Sequence, residues 1–154
     1  MPDIQQHLDT FQAFLTKKNL RLTNQRRAIL EAVHKHHDHY TAEELLTLAR
    51  QIDDSVSRAT IYRTLPILIE CDILREIDIG KDYKYYTTNK QDENFQAQII
   101  CRDCDKIFEI DAPFMDWYSK TAADRLGLEV QTQRLQINAI CTKVKNGELC
   151  TNMN

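Results

Sequence analysis

Apolar positions in the first half of the chain recur at three- and four-residue intervals, the spacing that gathers them on one side of a helix. Ile4, Leu8, Phe11 and Leu15 predict an opening helix over residues 4–18. Thr23 can cap a second helix, whose apolar stripe uses Ile29, Leu30 and Val33. In YTAEELLTLARQI, Thr41 and Glu44 have capping-box spacing, and Tyr40 and Leu45 are placed for a hydrophobic staple. Leu45, Leu48, Ala49 and Ile52 would line that third helix. A fourth begins near Ser57 in SRATIYRTLPIL, with Ile61, Leu65 and Leu68 on one side and Ala59, Tyr62 and Arg63 on the other. Pro66 has no amide for the Tyr62 carbonyl, at a cost of ~3 kcal/mol, so we expect a bend after Arg63 or a new helical piece with Pro66 in its first turn. The period then shortens. ILREIDIGKDYKYYTT alternates as two short strands around Gly80, Lys81 and Asp82, which is a hairpin. Helices followed by such a hairpin describe a winged helix-turn-helix, whose last helix enters the major groove of DNA.

A polar stretch, NKQDEN at 89–94, reads as a linker. Beyond it the pattern predicts a strand from Phe95 to Ile100, a turn carrying Cys101 and Cys104, and a strand from Ile107 to Ile110. Pro113 opens a helix with Phe114, Trp117, Tyr118, Ala122 and Leu126, stopped by Gly127. Two more strands are expected around LEVQT and RLQINAI, before the ending CTKVKNGELC. The fold class is therefore α+β: a winged-helix domain over residues 1–88, then a small α/β domain over 89–154. A domain of that second size usually needs a metal, a disulfide or a partner subunit.

Composition narrows the picture. Three glycines and three prolines in 154 residues argue against long disordered stretches. No run reaches the roughly 18 apolar residues of a membrane span, and MPDIQQHLDTFQ is too polar for a signal peptide. A cytoplasmic protein is expected, with no membrane partner. The net charge of −3 requires any nucleic-acid binding to be local. KKNLRLTNQRR, residues 17–27, is such a patch: Lys17, Lys18, Arg21, Arg26 and Arg27 without an acid. No helical His-Glu-x-x-His, nucleophile elbow or phosphate loop is present, so an enzyme is not expected.

Cys101 and Cys104 could shuttle electrons, hold a metal or be two buried thiols. Redox use would place them at the start of a helix in a βαβ pattern, where the thiol pKa falls. Here they fall in a turn between strands, which favours a metal. Cys71, in LIECDIL, reads as a small buried residue.

RLTNQRRAIL, HYTAEELL, SRATIYRTL, IICRDCDKIFEI and the late cysteines occur in an order that resembles the ferric uptake regulator family of bacterial metal-responsive transcription factors. The resemblance covers nearly the whole chain. It implies a homodimer on a palindromic A/T-rich double-stranded DNA operator, acting as a repressor, with the C-terminal domains pairing. It assigns the exposed face of the fourth helix to DNA: Tyr62 to thymine methyls, Arg63 to phosphate or a base edge. Ser57, Arg58 and Thr60 would position the backbone, and Arg21 would enter the minor groove. Lys17, Lys18, Arg26 and Arg27 are read as nonspecific or structural charges.

Cys141 and Cys150 would join Cys101 and Cys104 in a closed four-thiolate zinc site, one structural Zn²⁺ per chain. The family usually closes it with a tight cysteine pair; here TKVKNGEL intervenes, a span that a flexible loop could bridge, so three thiolates with another ligand, or no zinc, stay open. Asp105 replaces the usual glycine after the second cysteine, and Asp tolerates positive φ. The family's sensing histidines are mostly missing. Phe95, Ala97 and Gln98 stand where His, Asp and His are expected, and Gln133 where another His would be. His39 and Glu109 remain as a residual regulatory site, with Asp116 as a distant carboxylate. Asp92 and Glu93 could add carboxylates. Two such ligands would hold a transition metal weakly, so a regulatory metal is doubtful. HKHHDH, with His34, His36, His37 and His39, could be a replacement metal site, but reads more simply as a histidine-bearing loop between helices. The competing readings are a redox-responsive regulator switched at the zinc cysteines, a thiol oxidoreductase, and a partner-binding protein that kept the fold without DNA.

Overall fold

A computed structural model describes residues 3–89 and 95–150 of the chain. Most of the NKQDEN stretch, with Asp92 and Glu93, lies outside the described residues. The chain forms two compact units, Met1–Gln91 and Asp92–Asn154.

Helix α1 (Ile4–Lys17) buries His7, Phe11 and Leu15. Ile4 and Leu8 are only half-buried, so His7 joins a stripe expected to be wholly apolar. Asn19, at φ 56°, ends it, with Leu20 N–H returning to the Leu15 carbonyl at 2.8 Å. Helix α2 (Asn24–Lys35) starts under Thr23, whose hydroxyl accepts from Arg26 N–H. Its buried face runs through Ala28, Ile29, Leu30, Ala32 and Val33. Helix α3 (Ala42–Arg50) carries the complete Thr41/Glu44 capping box. It ends before Ile52, which is exposed, and Leu46 takes a core place instead.

Helix α4 (Arg58–Glu70) begins at Ser57, whose hydroxyl accepts from Thr60 N–H at 3.1 Å. Of the two alternatives expected at Pro66, a new helical piece is set aside: the helix runs through Pro66 without ending or restarting. Each fully buried Leu or Ile contributes ~1.5–3 kcal/mol. Ile61, Leu65, Ile67 and Leu68 together therefore outweigh the ~3 kcal/mol that Pro66 costs. Pro66 itself faces outward, where its ring disturbs no packing. Strands β1 (Leu74–Asp78) and β2 (Lys84–Thr88) pair antiparallel as the wing. A bridge between Tyr40 and Tyr86 pins the wing to the chain entering α3.

The second unit is a three-stranded sheet in the order β4-β3-β5, built from β3 (Phe95–Cys101), β4 (Ile107–Glu109) and β5 (Gln133–Ala139). β4 runs antiparallel to β3 and β5 parallel to it. A parallel pair needs a long crossover, here containing α5 (Pro113–Arg125). LEVQT is not a strand, and Leu128 within it is exposed. Alternation makes a strand only beside an edge that can pair with it, and residues 128–132 pair with neither edge of this sheet. The spacer between Cys141 and Cys150 also differs from expectation. It is a helical turn, α6 (Thr142–Lys145), closed by Gly147 at φ 82° with Glu148 N–H bonded to the Lys143 carbonyl.

The two units are unequally packed. The first has a continuous core drawn from all four helices and the wing. Among the described residues of the second, only Ala97, Gln98, Ile100, Cys101 and Cys150 are buried. Helix α5 buries none of its residues, leaving Phe114, Trp117 and Tyr118 exposed in mutual contact.

Candidate nucleic-acid interface and metal centre

The N-terminal end of α4 is built as a locked lattice. Ser57 and Thr60 hydroxyls lie 2.8 Å apart, and Thr60 Oγ1 donates to Gln25 Oε1 at 2.8 Å. Gln25 Oε1 also accepts from Ser57 N–H at 3.2 Å, which ties the first turns of α2 and α4 together. Ser57 and Thr60, expected to meet the DNA backbone, are thus half-buried and engaged within the protein. Gln25 was not foreseen. Its only sequence signal is a polar residue in a first helical turn, which many surface positions share.

Past that lattice α4 turns outward. Tyr62 is 52% exposed, and its hydroxyl makes a long 3.4 Å bond to Glu43 Oε1. Arg63 is exposed and makes no hydrogen bond or ion pair among the described residues. Arg58 is paired with Glu43 at 3.1 Å, both side chains more than half exposed. Such a pair contributes little and can be exchanged for another anion. Beside this face lies a cleft of about 460 Å³ lined by Thr23, Asn24, Gln25, Arg26, Ser55, Thr60 and Arg63. The N-termini of α2 and α4 both border it, so the positive ends of two helix dipoles and the Arg63 guanidinium face one space.

The basic stretch divides by role. Arg26 donates to the Arg21 carbonyl at 2.6 Å, holding the turn before α2 and leaving Arg21's own side chain exposed. Lys18 pairs with Glu70 at 2.7 Å and lies over the Phe14 ring. Arg26 and Lys18 serve the fold; Arg21 stays available.

In the second unit, Cys101 ends β3 and Cys104 sits in the following turn, where Asp105 adopts φ 61° and bonds back to the Cys101 carbonyl at 2.8 Å. The folded α6 spacer returns Cys150 to this turn. The sulfurs of Cys101, Cys104 and Cys150 all lie within 4.8 Å of one another, with Cys101 and Cys150 buried. Sulfurs on one tetrahedral zinc, with bonds of ~2.3 Å, stand about 3.8 Å apart, so a small contraction would seat an ion. Cys141 caps α6, its amide donating to Asp103 Oδ2 at 2.7 Å, and its thiol neighbours that of Cys150. It stands beside the trio rather than within it. All these cysteines are unpaired thiols.

The thiols differ in how firmly they hold their protons. Burial pushes the Cys104 thiol up to about 11, and the nearby Cys101 and Cys150 thiols add to the rise. The Val144 and Lys143 amides at the start of α6 hold the Cys141 thiol below its ordinary range. A divalent ion among the sulfurs would stabilise every thiolate at once.

The residual regulatory residues fall in different units. His39 is in the first unit, with Nδ1 3.5 Å from Asp38 Oδ1, and Glu109 is an exposed residue opposite Gln98 in the β3–β4 ladder. Asp116 accepts from Lys120 and from Gln133, the glutamine standing where the resemblance expects a histidine. Among the described residues, the cysteine trio is the one group of three or more His, Cys, Asp or Glu side chains close enough to share an ion. No helix of the described residues is long and apolar enough to cross a membrane.

Comparison with known proteins agrees with this architecture. The family model described as "Ferric uptake regulator family" matches residues 17–138. The Ferric uptake regulation protein of Campylobacter jejuni subsp. jejuni is 30% identical over 142 residues, covering 90% of this chain and 88% of that protein. The Peroxide-responsive repressor PerR of Staphylococcus epidermidis is 28% identical over 145 residues, covering 94% and 95%. The solved structure of the Helicobacter pylori ferric uptake regulator Fur, described as revealing three functional metal binding sites, superposes with a TM-score of 0.78 at 19% identity, over 94% of this chain and 95% of that one. With a winged helix-turn-helix followed by a small α/β unit, the chain belongs to the ferric uptake regulator family.

Proposed function

We propose that this chain is a homodimeric, sequence-specific DNA-binding regulator of transcription, a repressor rather than an enzyme, with a structural zinc and a degenerate regulatory metal site. The observation that carries it is the outward face of α4. Tyr62 and Arg63 are exposed on a helix whose start is locked by Ser57, Thr60 and Gln25 and bordered by a basic cleft. A bulky exposed aromatic beside an unpaired arginine has no packing role to explain it. Inserted in a major groove, Tyr62 would meet thymine methyls and Arg63 a guanine edge or phosphate. Arg58 would exchange Glu43 for phosphate, and Arg21 would reach an adjacent minor groove. The positive helix ends at the cleft would favour one backbone phosphate and fix the register.

Dimerisation is supported by α5. A surface helix exposing Phe114, Trp117 and Tyr118 together ordinarily has an apolar partner. A second copy of the same helix gives a two-fold protein matched to a palindromic, A/T-rich operator. Zinc is supported by the thiol trio with Cys141 beside it, and such a closed thiolate site is structural. Bound there, the ion supplies cross-linking only: Cys101 and Cys104 would hold one edge of the sheet, Cys141 and Cys150 the chain end. His39 and Glu109 are all that remains of a regulatory set, while Gln133 and Asp116 bond each other instead.

Selection of bound duplexes from a random library tests the reading. It should enrich an inverted repeat, and Tyr62→Ala or Arg63→Ala should lower affinity for that repeat by roughly 5- to 150-fold without altering the melting temperature. No enrichment, or unchanged affinity in both variants, overturns it. A second reading follows from the half-buried, reachable Cys104 and Cys141. One peroxide molecule, two thiolates and two protons would give a disulfide and two waters, releasing the zinc and the dimer. Peroxide treatment that leaves zinc content and repeat binding unchanged removes that reading.

A further inference from the structure

Neither the reading face, the cysteines nor α5 accounts for a group of imidazoles in the first unit. His7 stands on the core face of α1, 4% exposed, and its Nδ1 is buried with no hydrogen-bond partner. Buried polar atoms are nearly always satisfied, and an unmet one costs ~1–3 kcal/mol. His34, in the last turn of α2, meets the His7 ring edge-on, with centroids 5.8 Å apart and planes at 84°. His37, just beyond α2, lies 6.3 Å from His34, again edge-on at 76°. Phe11 and Leu15 follow His7 along the buried stripe of α1, and buried Val33 precedes His34.

We propose that His7, His34 and His37 form a binding site for one divalent transition-metal ion of the zinc, nickel or copper class, separate from the cysteines. Imidazole nitrogen is the donor such ions favour. Two imidazoles on one tetrahedral ion, each bonded at ~2.0–2.1 Å, place their ring centroids about 5–6 Å apart. The His7–His34 pair already has that separation. His37 is slightly too far, and the three nitrogens do not yet converge, but His37 is exposed and can swing inward by side-chain rotation. The last carbonyls of α2 carry partial negative charge and favour a cation at this end of the helix. An ion would also give the buried Nδ1 its missing partner.

The consequence is a cross-link from α1 to the end of α2 and the turn before α3. Both α1 and α2 pack on the reading helix α4, so the ion would stiffen the base on which α4 sits.

Zinc uptake by the full-length protein, with the cysteine site already loaded, tests the site. Binding of about one further ion per chain is expected, with the His7 and His34 imidazole nitrogens showing the large NMR shifts of direct coordination. His34→Ala and His37→Ala should each weaken that second ion by about 10-fold or more while the first stays bound. His7→Leu, which refills the core position, should do the same; should it misfold, exposed His37 still decides the matter. Uptake that stops at the cysteine-bound ion overturns the proposal. So does a second ion that persists unweakened in His34→Ala and His37→Ala.

Discussion

Gln25 shows how one side chain sets the geometry of another element. Its Oε1 accepts from Ser57 N–H and Thr60 Oγ1, more than thirty positions away in sequence. Replacement by alanine leaves the half-buried Ser57 amide without that acceptor, and the Thr60 hydroxyl with Ser57 alone. Gln25→Ala should therefore lose about 1–3 kcal/mol in chemical denaturation, and weaken operator binding by loosening the start of α4. Cys71 makes the complementary case. Burial is the main cause raising its thiol above the ordinary range, with Asp72 and Glu70 adding to it and two backbone hydrogen bonds opposing. It should be the slow thiol in zinc-loaded protein. Its alkylation rate should still be climbing at a pH where an ordinary thiol has levelled off, because the thiolate is the reactive form and appears later. A plateau at the usual thiol pH would contradict this. At this scale much was legible: the Thr23 cap, the helix start near Ser57 and the Thr41/Glu44 box follow from local chemistry, and the resemblance pointed to positive φ at Asp105. His7 was missed although a signal existed, since positions 7, 11 and 15 share one helical face.

Elements obeyed the sequence where period and caps agreed, and departed where tertiary packing outweighed a local preference. Pro66 is the clearest departure. The same bookkeeping makes a prediction: Pro66→Ala restores an amide to the Tyr62 carbonyl in an exposed turn, and should raise the stability of the first unit by up to about 3 kcal/mol in urea titration. A destabilised variant would mean that the proline ring packs favourably. LEVQT failed in the other direction, since alternation predicts a strand only where a neighbouring edge exists to receive it. The α6 turn was missed because TKVKNGEL is too short and too polar to show a period.

At the scale of the molecule the contrast is between a unit with its own core and a unit without one. The first buries apolar residues from every element; the second buries few, two of them cysteines. Removal of zinc by a chelator should thus unfold the second unit while the first keeps its helical signal, and thermal melting should split into two transitions. A single unchanged transition after verified metal loss would refute a structural ion. The exposed face of α5 belongs to this scale too. Trp117→Asp should shift the species seen by light scattering from dimer to monomer, because a charge cannot be buried unpaired in an apolar interface.

The sequence by itself determined the helices and hairpin of the first unit, the capped helix starts, the outward placing of Tyr62 and Arg63, and the cysteine turn. Each depends on residues within a turn or two of each other, where spacing alone sets direction. Tertiary structure alone decided that Gln25 braces α4, that α4 survives Pro66, that Cys150 rather than Cys141 closes on Cys101 and Cys104, and that His7 meets His34. These are meetings of residues far apart along the chain. Whether they occur depends on how helices and strands pack, and a spacing rule carries no information about that.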